Sequence, residues 1–416
     1  MRKWILSVAA VVAAVWGLMW IGSAVMEKTL ARRDDRVWPL GLSTIHDVPN
    51  RYPLQPATPA AMRLSVLARP LEIDLVPRDP SGPPRPVDQR ESVVRTEIGD
   101  YVRRQVQRAN PAIDVPPETV VAFLADRDNE IEAVRALLIS GSPLGWAQNI
   151  ELGAASPIPR LLGHMQLGRL FVASALDRAR RGDAGAWHDL QAVWMMNRNL
   201  LERPEIISAM IGVANARSVN AAARKMPLPA PEWFREVQRH DYRRAMVAAY
   251  QAEAWGISHR IYAETTTDAD PDDPAVTALA RVRDTVLAPY TRLCASDEVD
   301  RWRVTATDIA ASTLCDLDPA GIERKRRASI PWWNVPAKAM AAPNLVAVWQ
   351  RVFRFRAELE ATERALDLRV GRPPRQESSC TDGKWIYSAG GMRFSHRFPP
   401  PAVGASAIPV EFWLTE

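Results

Sequence analysis

Residues 159–207, PRLLGHMQLGRLFVASALDRARRGDAGAWHDLQAVWMMNRNLLERPEII, decide the fold class. Pro159 to Arg181 carries apolar residues at helical spacing, Gly182-Asp183 interrupts the pattern, and Ala184 to Leu201 resumes it. A third helix opens at Pro204-Glu205, where a proline lacking its N–H is tolerated, and closes near Pro227. Short loops between helices with apolar stripes make antiparallel neighbours, so the spacing predicts a multi-helix bundle and a mainly α chain.

The helix pair invites comparison with tetratricopeptide repeats, but Arg180 and Trp187 stand where that pattern wants small residues, and no second copy follows. Toward the N-terminus the helical pattern begins near Arg85, with Val94, Ile98, Tyr101, Val102 and Val106 at spacings of three and four and Glu91 beside Arg95. A single helix is predicted from Pro117-Glu118 to Ser140-Gly141-Ser142-Pro143, on the stripe Val120, Val121, Leu124, Ile131, Val134 and Leu138. Toward the C-terminus one long helix is predicted from Pro231 to about Glu264. Two stretches follow, Ala275 to Leu287 and Asp297 to Leu314, and a last helix covers Pro343 to Leu368. Residues 87–369 thus form the helical domain. The period then changes: Lys384 to Tyr387 and Met392 to His396 flank Gly390-Gly391 and read as a β-hairpin within residues 370–416, with Val410 to Leu414 as a short further strand.

Before the domain, the 11 prolines between Pro39 and Pro86 exclude a long helix, so residues 29–86 are a proline-rich linker or a segment wrapped on the domain. Alternating Leu71, Ile73 and Leu75 within Met62 to Val76 predict an edge strand there. Trp4 to Met26 are 23 consecutive uncharged residues, roughly 35 Å as a helix, which predicts a transmembrane anchor over residues 4–28 behind a short cytoplasmic tail at 1–3. Trp4, Trp16 and Trp20 suit the headgroup layer. The alternative, a cleaved signal peptide, normally has a shorter apolar core and a better cleavage site than Ser23-Ala24-Val25-Met26. Lys28, Arg32, Arg33 and Arg36 outnumber Arg2 and Lys3, yet long domains cross regardless of flanking charge. The expectation is a single-pass protein of a bacterial inner membrane with a periplasmic C-terminal domain.

Composition bounds the function. Of 416 residues 47% are apolar and 24% charged, globular values that exclude wholesale disorder. The 53 basic and 48 acidic side chains are close to balance and spread along the chain, which excludes a nucleic-acid-binding surface. In an oxidising compartment Cys294 and Cys315 are candidates for a disulfide; the alternative is free buried thiols at Cys294, Cys315 and Cys380.

Three stretches carry a resemblance: Leu200-Leu201-Glu202-Arg203-Pro204-Glu205-Ile206-Ile207, Trp333-Asn334-Val335-Pro336-Ala337-Lys338, and the Arg-rich helix Arg351 to Arg369. With the anchor they resemble a loosely defined, largely uncharacterised group of bacterial single-pass membrane-anchored helical proteins. In some of that group the last helix precedes a segment similar to the C-terminal part of pseudopilins, with Pro-Asp-Pro-hydrophobic-Asp-Gly before paired strands. Here Cys380-Thr381-Asp382-Gly383-Lys384-Trp385-Ile386-Tyr387 keeps the Asp-Gly and the strand, a degenerate form. The resemblance covers about half of the chain and implies no activity.

Few residues suggest chemistry. The histidines are scattered and none has zinc-hydrolase spacing. Asp177 and His188 lie about equally far from the Gly182-Asp183 turn, which makes them a candidate orienting pair or an exposed ion pair; His259 is a further candidate base. Asp268, Asp270, Asp272 and Asp273 lack the Gly and Glu that a calcium loop needs, and Ser140 to Gly145 misses the nucleophile elbow. Neither a cofactor nor a metal is expected. Arg324, Lys325, Arg326 and Arg327 followed by Trp332 and Trp333 form a candidate membrane or partner surface, or else a basic helix end before buried tryptophans. The favoured expectation is a membrane-anchored extracytoplasmic protein that binds or scaffolds another envelope component. The alternative is an envelope hydrolase or transferase with a site assembled from distant helices.

Overall fold

In the computed structural model the chain is mainly helical, and residues 2–34, 36–77, 89–108, 110–227, 229–263, 274–312, 318–339, 345–373, 375–380, 383–388, 390–395 and 411–413 are described. The bundle is centred on α7 (Leu161–Arg180), α8 (Ala186–Leu201) and α9 (Ile206–Ala223). The turn between α7 and α8 places Gly182 at φ +76°, a backbone that a side chain would strain. Leu170, Phe171, Leu176, Leu190, Val193, Trp194 and Met196 are buried in this unit, each stabilising it by about 1.5–3 kcal/mol.

Around the unit pack α4 (Gln89–Gln107), α6 (Asp128–Ile139), α11 (Tyr242–Ala263) and α15 (Leu345–Arg369). The helix expected from residue 117 to 140 is two, α5 (Glu118–Asp126) and α6, because Arg127 between them leaves helical geometry at φ −111° and ψ 17°. The long helix expected from Pro231 is also broken, into α10 (Phe234–Arg239) and α11, at an extended His240 (ψ 134°). Asp241 then starts α11 by accepting the N–H of Arg244 at 2.9 Å. The two stretches expected after residue 274 are instead one helix, α12 (Pro274–Ala311), packed against α11 through Tyr250 and Trp302, whose rings lie 5.1 Å apart. The remaining helices are α13 (Pro319–Ala328) and α14 (Val335–Ala339). At the C-terminal end β1 (Trp385–Ser388) and β2 (Gly391–Phe394) form the expected hairpin, with Ser388 opposite Gly391, and β3 (Glu411–Trp413) pairs antiparallel with β2.

The proline-rich segment wraps rather than links. Its residues Trp38, Ile45, Val48, Leu64, Leu71 and Leu75 are buried, in α2 (Val48–Arg51), α3 (Pro59–Ala68) and the turns around them. The edge strand expected within residues 62–76 is not formed. Thr58 caps α3 by accepting the N–H of Ala61, Pro59 enters its first turn, and Ala61, Leu64, Ser65 and Ala68 make a buried helical stripe. Beyond it the backbone runs against α7: Arg160 N–H donates to Leu75 O at 2.9 Å, and a Cβ on Gly163 would meet Asp74 O at 1.9 Å. Gly163 is therefore what allows this segment to lie on α7. Residues 78–88, the last part of the expected linker, lie outside the described residues.

One helix, α1 (Arg2–Asp34), covers the expected anchor at residues 4–28 and packs against α12. Among the described residues no helix is long and apolar enough to cross a membrane, so the helix is observed and the span is not.

Candidate functional site

The break at His240 shapes the surface. Because α10 ends there and α11 departs in a new direction, α10 and α15 enclose a groove of about 730 Å³. From α15 it is lined by Arg356, Leu359, Glu360, Glu363, Leu366, Asp367 and Val370, a stripe at helical spacing, and from α10 by Arg235, Gln238 and Arg239. An adjoining pocket of about 400 Å³ at the break shares Arg239 and Arg356 and adds Tyr242, Arg243 and Ser379.

The acids of this groove are already engaged. Buried Glu360 accepts from Ser379 N–H at 3.1 Å, Ser378 Oγ at 3.2 Å and Trp385 Nε1 at 3.2 Å, which ties α15 to the sheet. Asp367 accepts from Arg372 and Arg375, each at 2.9 Å, and Glu363 accepts from Arg375 at 3.0 Å. Arg356 of α15 and the cations of α10 are held more loosely. Arg356 touches Gln238 O at 3.5 Å and Glu360 at 4.0 Å, and among the described residues Arg235 meets only the exposed Glu232, at 3.7 Å. The groove therefore presents Arg235, Arg239 and Arg356 beside carboxylates that already have other partners, Arg372 and Arg375 of the same groove among them, an arrangement that attracts anionic groups.

The imidazole of His240 sits edge-on to Trp194 (5.6 Å) and Tyr242 (4.8 Å), and burial holds its pKa below the ordinary value against the pull of Asp241. It is a neutral packing histidine. The nearby hydroxyls are committed, Ser379 Oγ to Glu360 and Ser312 Oγ to Asp308 O, so no nucleophile–base pair is formed there.

The residues singled out by sequence do not converge. Buried Asp177 is bound by Arg180 (3.1 Å) and Arg181 (2.9 Å) of its own helix, while His188 is exposed. The acid that enters the α7–α8 interface is the next residue, Asp189, fully buried, accepting from Arg135 Nε at 2.6 Å and Ser174 Oγ at 2.8 Å. Burial pushes its carboxyl up against the pull of Arg135, Ser174 and Arg178. His259 stacks on Trp255, one helical turn earlier, at 4.5 Å. The described residues contain no group of three His, Cys, Asp or Glu side chains that would hold a metal ion. The acidic loop 268–273 lies outside the described residues.

The candidate bridge between Cys294 and Cys315 is not formed: Cys294 is a buried free thiol, its pKa raised by burial. The reason is helical geometry. Cys294 and Ala311 belong to one helix, about 26 Å apart at 1.5 Å per residue. The four residues from there to position 315 reach back at most about 14 Å, too little to bring two Cα atoms within a disulfide's roughly 7 Å. Cys315 itself lies outside the described residues, and among the described residues the disulfide-bonded cysteine is Cys380.

The candidate surface at Arg324, Lys325, Arg326 and Arg327 is largely neutralised. Arg324 pairs with Asp318 (3.3 Å), Lys325 with Asp308 (2.8 Å), and Arg326 (3.1 Å) and Arg327 (2.6 Å) share Glu323. Trp332 is 82% exposed, whereas Trp333 is half-buried and its carbonyl accepts from Tyr290 OH at 2.8 Å. No protein-family model matches the chain, and neither does any curated protein or solved structure.

Proposed function

We propose that the protein is tethered to a bacterial inner membrane by α1, and that its helical domain lies in the periplasm and binds an acidic segment of another envelope component. The observation that carries this reading is the surface of α1. Its stretch of 23 uncharged residues leaves Trp4 (79%), Leu18 (72%) and Ile21 (60%) open, together with Val11, Val25 and Met26. So many large apolar side chains on one helix face water at high cost and gain by entering lipid. Two further features support the reading. A disulfide-bonded Cys380 suits an oxidising compartment. The α10–α15 groove offers Arg235, Arg239 and Arg356 to an acidic partner.

Membrane fractionation tests the tether. Membranes from cells expressing the full chain are washed with alkaline carbonate, alongside a variant lacking residues 2–26. The full chain is expected in the pellet and the shortened one in the wash; a full chain that washes off, or a shortened one that stays, contradicts the reading. Cross-linking in cells tests the groove: adducts formed by the full chain should disappear in the Arg239→Glu, Arg356→Glu double variant.

A further inference from the structure

A further cavity, of about 340 Å³, lies between α4 and α7. Its floor is apolar, made by Leu71, Ile73, Ile98, Phe123 and Leu170, and its rim carries Arg95, Arg103, Arg169 and Asp100. Two of the three guanidiniums have acids. Arg103 pairs with Asp100 at 2.9 Å, and Arg95 lies 3.9 Å from the carboxylate of Glu72. Arg169 is the exception: it makes no ion pair and donates no hydrogen bond to any described residue, although it is half-buried on a core helix. Burial, and then the charge of Arg103, depress its pKa, with Asp100 opposing.

The local sequence makes room for this group. Gly99 sits inside α4, where glycine costs about 1 kcal/mol relative to alanine, and a Cβ there would lie 3.3 Å from Arg169 Nη1. The missing side chain lets the guanidinium lie over α4 at the mouth of the cavity. One turn before Arg169, Gln166 adds an amide to the same wall.

We propose that this cavity binds a small organic monocarboxylate, its carboxylate on Arg169 and its apolar body on the floor. Three guanidiniums against the carboxylates of Asp100 and Glu72 leave one positive charge, which suits a monoanion, and Asp100 in the wall repels a dianion such as phosphate. The volume falls at the low end of ligand sites and the mixture of apolar floor and few polar groups is typical of them. This site is independent of α1 and of the α10–α15 groove.

The test is calorimetric titration of the detergent-solubilised full chain with hexanoate and, separately, with hexanol, subtracting the detergent blank. Hexanoate is expected to bind saturably at one site and hexanol not. Arg169→Gln is expected to weaken hexanoate at least about tenfold, Arg169→Lys less, and Gly99→Ala several-fold by displacing the guanidinium, with unfolding midpoints recorded for each. Should Arg169→Gln unfold, Gly99→Ala and the comparison of hexanoate with hexanol carry the decision. Absence of hexanoate binding to the unaltered chain, equal binding of hexanol, or unchanged affinity in folded Arg169→Gln or Gly99→Ala overturns the proposal.

Discussion

The α7–α8–α9 unit and the α10–α15 region use the same side chains to opposite ends. In the first, charged groups are sealed inside: Asp189 between Arg135 and Ser174, and Arg203 bonded twice to Glu205 at 2.7 and 2.8 Å and to the carbonyls of Trp146, Ala147 and Pro157. In the second, the inward face of α15 is equally closed. Glu358 accepts from Arg217 at 2.6 and 2.9 Å and from Arg354 at 2.9 Å, and these arginines with Arg224 hold its pKa low despite burial. The outward face of the same helix is open, with Arg356 turned into a groove. Buried charge with every partner supplied specifies packing; charge left beside satisfied acids is available to something else.

The sharpest break of this contrast is Asp189→Ala. It leaves buried Arg135 with Glu132 as its one remaining carboxylate and is expected to cost about 3–5 kcal/mol in denaturant unfolding of the full chain. A loss below about 1 kcal/mol would mean that water reaches the cluster. Next comes acid. His164 is fully buried, edge-on to Trp146 at 4.9 Å, with Nδ1 on Arg160 O at 3.0 Å, and burial lowers its pKa to about 4. Its folded value lies below the ordinary 6.5, so the unfolded chain gains a proton first. Stability is full above pH 6.5 and falls as pH drops toward 4, by about 3 kcal/mol in all. His164→Gln should flatten that part of the pH profile, and an unchanged slope would assign it to other groups.

The open face responds differently. Arg239→Glu with Arg356→Glu should change unfolding by no more than about 0.5 kcal/mol, yet weaken partner capture at least about tenfold. A large loss of stability instead would make these arginines part of the packing. Last is Asp241→Ala, which removes the cap of α11 and should cost about 1 kcal/mol, measured by the unfolding midpoint. If the break at His240 shapes the groove, this variant also weakens capture although Asp241 lies outside the α10–α15 stripe.

The same contrast explains what could be read from the sequence. The helices of the central unit were legible because Gly182 and Pro204 punctuate them and their apolar stripes are unbroken. The hairpin was legible because Gly390-Gly391 divides two alternating runs. The break at His240 was not, since no Pro or Gly marks it and the apolar pattern continues through Val237, Tyr242 and Met246. Tertiary packing of His240 on Trp194 and Tyr242 decides it. Both cavities were invisible for a related reason: their arginines come from elements far apart in the chain, and spacing says nothing about such pairs. One signal was present, the glycine inside the helical stripe of α4, Gly99, which marks a close approach without naming Arg169 as the approaching group. Asp189 escaped notice because His188, its neighbour, carries the more familiar chemistry while helical periodicity turns Asp189 inward.

We propose that α1 holds the helical domain on the far side of a membrane. The most direct test is a reporter active only in the periplasm, fused after Glu416 and compared with a reporter active only in the cytoplasm at the same place. Activity is expected from the periplasmic reporter and silence from the cytoplasmic one; the reverse pattern would contradict the tether's orientation and the periplasmic address together.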